Sequence, residues 1–426
     1  EHTFRGGNRW RGLFIINRKR DDRTRERFDL NENNQKDIFL NTFNQYEEEI
    51  FRTSYSLNLS QNQDLEFGVE RAQTTLESSL RLGLLPDGSM ASEFGGLTPA
   101  NSSNAVVQEV RYEGFAIHNW QFNDRMSLES TLIYEESTIK QSGDISKERD
   151  FSFIRPKVDY RFDITPSLQL RATIEKDVAQ LSFNDFTANI PPIGDDDQNT
   201  FAGNPDIRQE QSWRYDLNLE YRFDEDNGVI NTNIYYQDLE DLIDRVDVST
   251  STVLQSANGN IGDGKRHGGS VDSSYRLTSF NLPQLLLTAR LELVNGSATD
   301  PFLNIERPLQ RQGKGSYRYG FRYDMGSRNI SYGVNFSGTF DGDQLVYDID
   351  KIEDYYMEDF IMAFLELQGW GGLIYRFEAT NPHEQYRCRI RTRYTGGTIA
   401  TGSLSEIEDS CSHAGEKYAI KIRGTF

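Results

Sequence analysis

Two cysteines and two histidines near the end of the chain are, by type and spacing, the residues best suited to chemistry. His383 and Cys388 read H-x4-C, and Cys411 and His413 read C-x-H. Thiolate and imidazole are zinc ligands, but these spacings match the usual zinc patterns poorly. Outside the cytoplasm, two cysteines flanking one loop form a disulfide that restrains it, and Cys388 with Cys411 fits that chemistry. The expectation is a disulfide and no metal. Acidic runs at Asp195, Asp196 and Asp197, and within "DIDKIEDYYMED" (348–359), could offer carboxylate oxygens to Ca²⁺ in long loops. They lack the glycine and spacing of an EF-hand, so the plainer reading is solvated loop and no cofactor. Phe183, Phe186 and Phe201 could contact a ligand or anchor at an interface. The five histidines include none in HExxH or beside GxSxG, and no glycine loop suits a phosphate. No catalytic constellation follows, and the chain does not read as an enzyme.

A basic ladder is the other constellation. Arg387, Arg389, Arg391 and Arg393 alternate with Cys388, Ile390, Thr392 and Tyr394, so a strand would set four guanidinium groups on one face. The last strand adds Lys421 and Arg423 to its own wet face, and the two strands are expected to be neighbours. Six cations so close repel one another and need neutralising. They face carboxylates of another domain or an anionic solute in a lumen, or they pair with the chain's own surplus of Asp and Glu, or they lie beyond the membrane in water.

The elements that position these groups read as long strands. Of the 426 residues, 12% are aromatic, with 21 Tyr and 26 Phe but only 5 Met. Mean hydropathy is −0.67, and no apolar run approaches the ~18 residues of a membrane helix. A transmembrane barrel shows the same average, because only alternate residues meet lipid. The net charge of −20 excludes nucleic acid as a partner. Tight turns fall at residues 61–64, 123–125, 165–167, 225–228, 281–284, 326–329 and 369–372. Long polar connections alternate with them at 84–105, 141–149, 184–209, 247–264, 296–311, 341–353 and 395–415. Between them run period-2 segments. Trp213, Tyr215, Leu217, Leu219, Tyr221 and Phe223 oppose Arg214, Asp216, Asn218, Glu220 and Arg222. Tyr317, Tyr319, Phe321 and Tyr323 oppose Arg318, Arg322 and Asp324. Such strands run to ten or more residues, enough to cross a bilayer at a tilt. The class is all-β, an antiparallel transmembrane β-barrel, with about 15–16 strands present.

The chain ends "YAIKIRGTF". Tyr418, Ile420, Ile422, Gly424 and Phe426 share one face, Lys417, Lys421 and Arg423 the other. This resembles the C-terminal assembly signal of bacterial outer-membrane barrels. Residues 202–223, "AGNPDIRQEQSWRYDLNLEYRF", resemble a segment of TonB-dependent receptors reading NP-x-L-x-P-E before a strand. Asn204, Pro205, Ile207 and Glu210 match, while Gln209 stands where the family has Pro. Residues 158–186 resemble the preceding hairpin, and 386–397 with the final strand resemble the closing strands.

The resemblance implies a 22-stranded barrel filled by an N-terminal plug. The strand at 212–224 counts ninth from the last, where the family carries this motif, so residues 1–426 read as the C-terminal part of the barrel. The plug, the first strands and the TonB box then lie upstream of Glu1. The implied function is import of a scarce ligand, such as a siderophore-metal complex, a cobalamin or an oligosaccharide, across the outer membrane of a Gram-negative bacterium. Implied partners are outer-membrane lipid and lipopolysaccharide, the plug, the TonB complex and the barrel assembly machinery. The rival reading is a self-contained passive porin, since 16 to 18 strands suit an open channel. A soluble β-rich binding protein is the weaker third.

Overall fold

The computed structural model describes residues 1–30, 34–84, 92–187, 203–224, 227–251, 253–340, 344–383, 385–413 and 415–424. The first strands are β1 (His2–Thr3), β2 (Arg9–Asp29), β3 (Gln35–Ser60), β4 (Gln63–Leu84), β5 (Thr98–Asn123), β6 (Met126–Gly143), β7 (Lys147–Thr165) and β8 (Leu168–Val178). They are followed by β9 (Gln211–Arg222), β10 (Gly228–Glu240), β11 (Ile243–Asp247), β12 (Ser256–Asn260), β13 (Gly264–Leu277), β14 (Leu282–Thr299), β15 (Glu306–Pro308) and β16 (Gly315–Met325). The last are β17 (Ile330–Thr339), β18 (Gln344–Tyr347), β19 (Lys351–Met357), β20 (Phe360–Gln368), β21 (Ile374–Thr380), β22 (Tyr386–Thr395), β23 (Ser403–His413) and β24 (Lys417–Arg423).

Eighteen of these form one antiparallel sheet. Setting aside the short pieces β1 and β15 leaves sixteen staves in an up-and-down meander, matching the strand count expected from the periodicity. All seven expected tight turns join staves at one end. β9 is ninth from the last stave. Among the described residues no pairing joins β24 to β1 or β2, so the sheet is open.

Alternation sets the two faces. Tyr215 lies opposite Tyr236 and Ile174, and Leu217 opposite Ile234 and Ala172. Tyr319 lies opposite Phe336, and Tyr323 opposite Tyr332. This outward face is exposed in the isolated chain: Ile234 is 60% and Phe14 64% exposed. In a membrane-spanning barrel such a band faces lipid. Polar residues line the inward face, joined by ion pairs.

The last turns of the meander depart from expectation. The strand holding the basic ladder, β22, is no stave and does not adjoin β24. It pairs with β19 and β23, and β18 completes a separate four-stranded sheet. The closing hairpin is β21 with β24. The segments 341–353 and 395–415, expected as loops, carry β18, the start of β19 and all of β23.

Candidate functional site: lumen wall and outer mouth

On the inner wall, cations sit opposite carboxylates of adjoining strands. Glu366 accepts from Arg322 at 2.7 Å and from Arg376 at 2.8 Å, and Glu378 accepts from Arg376 at 2.5 Å and from Lys421 at 2.6 Å. Arg322 can reach past β17 because Gly333 stands opposite it. A second network on β4–β7 ties Arg111 to Glu70 and Glu113, and Arg155 to Glu135 at 2.5 Å. Glu135 is 1% exposed, so losing Arg155 would strand a buried charge. Toward the tight-turn end, a recess of about 820 Å³ opens between Asn58, Asp64, Asn119, Glu129, Asp159 and Arg171.

At the opposite end, the described parts of the connection from β8 to β9, residues 179–187 and 203–210, fold inward. Phe183 and Phe186, on a short 3₁₀ turn (Phe183–Phe186), pack with Leu181 and Ile207 against Leu76, Val107 and Ile139 of three staves. The Tyr46 hydroxyl donates to Asn184 Oδ1 at 2.7 Å, and the Gln141 amide to the Phe186 carbonyl at 2.9 Å. Both phenylalanines are buried in this cluster rather than offered to a ligand; Phe201 lies outside the described residues.

The motif residues tie this strap down. Asn204 donates to the Asn258 carbonyl at 2.9 Å, and Asn258 to Asp185 at 2.7 Å. Arg149 donates to the Ile207 carbonyl at 2.6 Å and to the Pro205 carbonyl at 3.2 Å, Ile207 itself being fully buried. Glu210 accepts from the Ile243 N–H at 3.1 Å, locking the start of β9 to the β11–β12 hairpin. Gly203 is required by close approach: a Cβ there would lie 2.3 Å from the Phe186 carbonyl oxygen. Burial pushes the Asp185 and Glu210 carboxyls above their ordinary values, against those hydrogen bonds. Asp206 moves the other way, held down by its bond from Lys147.

A buried ionic knot joins the next loops, and it carries no local sequence signal. Arg307, 3% exposed, donates to Asp300 and to Asp244, each at 2.7 Å, and stacks over Tyr347. Gln310 links Asp244 to the Tyr347 carbonyl. Asp244 lies 63 residues before Arg307, a distance at which one sequence cannot reveal a pair.

The basic ladder sits beyond the staves, in the outer sheet. Arg391, 2% exposed, bonds Glu353 at 2.7 Å and approaches Glu408; Arg389 approaches Glu353 and Glu408, and Arg393 approaches Glu406 and Glu408. Arg387 is exposed on the same face. The chain's own carboxylates therefore neutralise most of the ladder, and the expected continuity with Lys421 and Arg423 is absent. Cys388 and Cys411 are directly opposite one another and disulfide-bonded at 2.03 Å. His413 lies tilted against Tyr386, ring centroids 5.9 Å apart, and His383 contacts the Asp359 carbonyl. Among the described residues no group of three or more His, Cys, Asp or Glu could hold a metal ion. In the run 348–359, Asp348 bonds the Ile349 N–H, Glu353 bonds Arg391 and Asp359 accepts from Tyr317. Asp195, Asp196, Asp197 and Phe426 lie outside the described residues.

A family model described as TonB dependent receptor-like, beta-barrel matches residues 1–355. The chain belongs to the TonB-dependent receptor family. It is thus a bacterial outer-membrane β-barrel, with the tight turns periplasmic and the long connections outside. Solved structures agree in fold. The ferric yersiniabactin uptake receptor FyuA from Yersinia pestis superposes with a TM-score of 0.63 at 12% identity, over 98% of this chain and 59% of that one. The copper transporter OprC gives 0.67 at 14% identity, over 98% and 67%. The ferric citrate transporter FecA gives 0.63 at 11% identity, over 96% and 58%. The receptor chain therefore spans about three-fifths to two-thirds of the length of these structures. No curated protein matches it in sequence.

Proposed function

We propose that residues 1–426 form the C-terminal part of a 22-stranded receptor barrel that imports a scarce ligand with energy delivered through TonB. The ligand belongs to the siderophore-metal, cobalamin or oligosaccharide class. The neighbours' names, ferric yersiniabactin, copper and ferric citrate, lean toward the metal-chelate end of that range. The observation that carries the reading is the sixteen-stave open sheet with a polar, ion-paired inner wall, joined to the family match. A plug would seat against that wall, and the recess on β3–β8 is a surface for it. The outer strap and outer sheet would meet the ligand first. A self-contained porin would instead pair β24 with β2.

The test is the mass of the denatured polypeptide isolated from its membrane, followed by uptake with and without TonB. A mass well above 49.0 kDa and TonB-dependent uptake are expected. A stable barrel at 49.0 kDa would overturn active transport by this chain. Tyr418, Ile420, Ile422, Gly424 and Phe426 serve in this reading as the assembly signal. Deleting Phe426 is expected to lower the amount of barrel reaching the outer membrane, and undiminished assembly would refute that role.

A further inference from the structure

The two edges of the sheet carry matching charge. Among the described residues β2 pairs with β3 and otherwise only with two-residue β1, and β24 pairs only with β21. Unpaired backbone groups at membrane depth are not tolerated, so both edges must be satisfied. Either they meet each other or further strands lie between them.

The inward side chains distinguish these arrangements. On β2 they include Arg9, Arg11, Lys19, Arg23 and Arg25, with Asp21 among them; on β24 they are Lys417, Ala419, Lys421 and Arg423. Arg11 approaches Glu1, Arg23 pairs with Asp21, and Lys421 with Glu378. For Arg9, Lys19, Arg25, Lys417 and Arg423 no ion pair is formed among the described residues. Most interior cations differ: Arg111, Arg155, Arg171, Arg322 and Arg376 each find a carboxylate on an adjoining stave or one beyond, whereas Arg266 and Arg318 form no ion pair among the described residues. Closing β24 directly onto β2 would set two basic columns at strand spacing, ~4.8 Å apart, where like charges repel.

We propose that β2 and β24 are joined through further antiparallel strands of the same receptor whose lumen-facing side chains are carboxylates set opposite these five cations. This rests on the receptor reading above, in which structures of the family are longer than this chain. Direction adds a constraint. β2 runs away from the periplasmic turns and β24 runs toward them, so an antiparallel sheet accepts only an even number of strands between them.

The experiment uses the full receptor purified from outer membranes. A zero-length carbodiimide couples Lys19 and Lys417 to any adjacent carboxylate, and peptide mass spectrometry identifies it. In parallel, Arg9, Lys19 and Arg25 are changed together to Glu, and separately together to Gln, and the temperature of heat-modified migration is compared. Coupling to Asp or Glu in barrel strands outside residues 1–426, with the Glu triple melting below the Gln triple, is the expected result. Coupling to a segment outside the barrel wall, or a Glu triple that melts at or above the Gln triple, overturns the proposal. A polypeptide of 49.0 kDa that forms disulfides between cysteines placed on β2 and β24 sinks the receptor reading itself. A larger polypeptide with no such disulfide but a more stable Glu triple sinks only the acidic neighbours.

Discussion

At the residue scale, the outer mouth depends on charges taken out of water in fixed pairs. Arg307 lies between Asp244 and Asp300 with all three nearly inaccessible. Removing the guanidinium leaves two buried carboxylates facing each other, a change that typically costs about 3–5 kcal/mol. Arg307→Met is therefore expected to raise amide exchange across residues 300–310 while the staves stay protected; unchanged exchange would refute the knot. The strap responds to pH through carboxyls shifted in opposite directions. Asp185 and Glu210 have carboxyls raised by burial above ordinary values of 3.8 and 4.5. Folded strap thus holds their protons to higher pH than unfolded strap does, so its stability falls as pH rises through the raised values. Asp206, lowered by Lys147 from 3.8, contributes stability that is lost only as pH falls below that value. Proteolysis of the strap should be slower at pH 5 than at pH 7 and should quicken below about 3.8. Faster cutting at pH 5 than at pH 7 would contradict this balance. None of these pairings was legible in the sequence, because their members are scattered through four connections. Asn204, Ile207 and Glu210 stood out there only as a family motif.

At the scale of elements, the staves were legible and the outer sheet was not, and one physical fact explains both. Period-2 alternation between turns marks a strand but says nothing about which strand lies beside it. The turn at 61–64 and its six counterparts fixed successive hairpins, since an up-and-down meander pairs each stave with the next. β22 has the same alternation as a stave, so Arg387, Arg389, Arg391 and Arg393 read as a wall facing the lumen. Its true neighbours, β19 and β23, lie in segments whose acidic residues made them look like loops. That sheet is also where the disulfide acts. Cys388 and Cys411 bridge opposing positions 23 residues apart, a loop whose closure contributes about 3 kcal/mol in the chain-entropy account. Replacing both with Ser is expected to expose residues 395–403 to protease while heat-modifiable migration persists, because β21 and β24 pair without help from β22 or β23. Collapse of the whole barrel in that variant would mean the outer sheet and the staves fold as one unit.

At the scale of the whole molecule, the wall is taller than a membrane requires. β2 to β6 run 21, 26, 22, 26 and 18 residues, where ~9–11 suffice to cross the hydrocarbon. The outward face changes character along their length. Phe14, Ile16, Phe51, Val69 and Leu132 mark the lipid band, all 49–64% exposed in the isolated chain. Beyond them the same face carries Arg18 paired with Glu47, Arg20 over Phe43, and Lys140 paired with Glu148. Charges on a lipid face cost energy by depth, ~2–4 kcal/mol for Arg at the midplane and little beyond the interface. Two substitutions test where the band ends. Ile234, outward on β10 and 60% exposed, should lie within it, so Ile234→Arg is expected to destabilise the folded barrel by about that midplane amount. Glu136 lies outward on β6 beyond Tyr134, whose hydroxyl donates to it. Glu136→Gln keeps an acceptor there and should leave stability nearly unchanged. Folding titrations into lipid vesicles measure both. Equal, small effects would mean that Ile234 lies outside the lipid band.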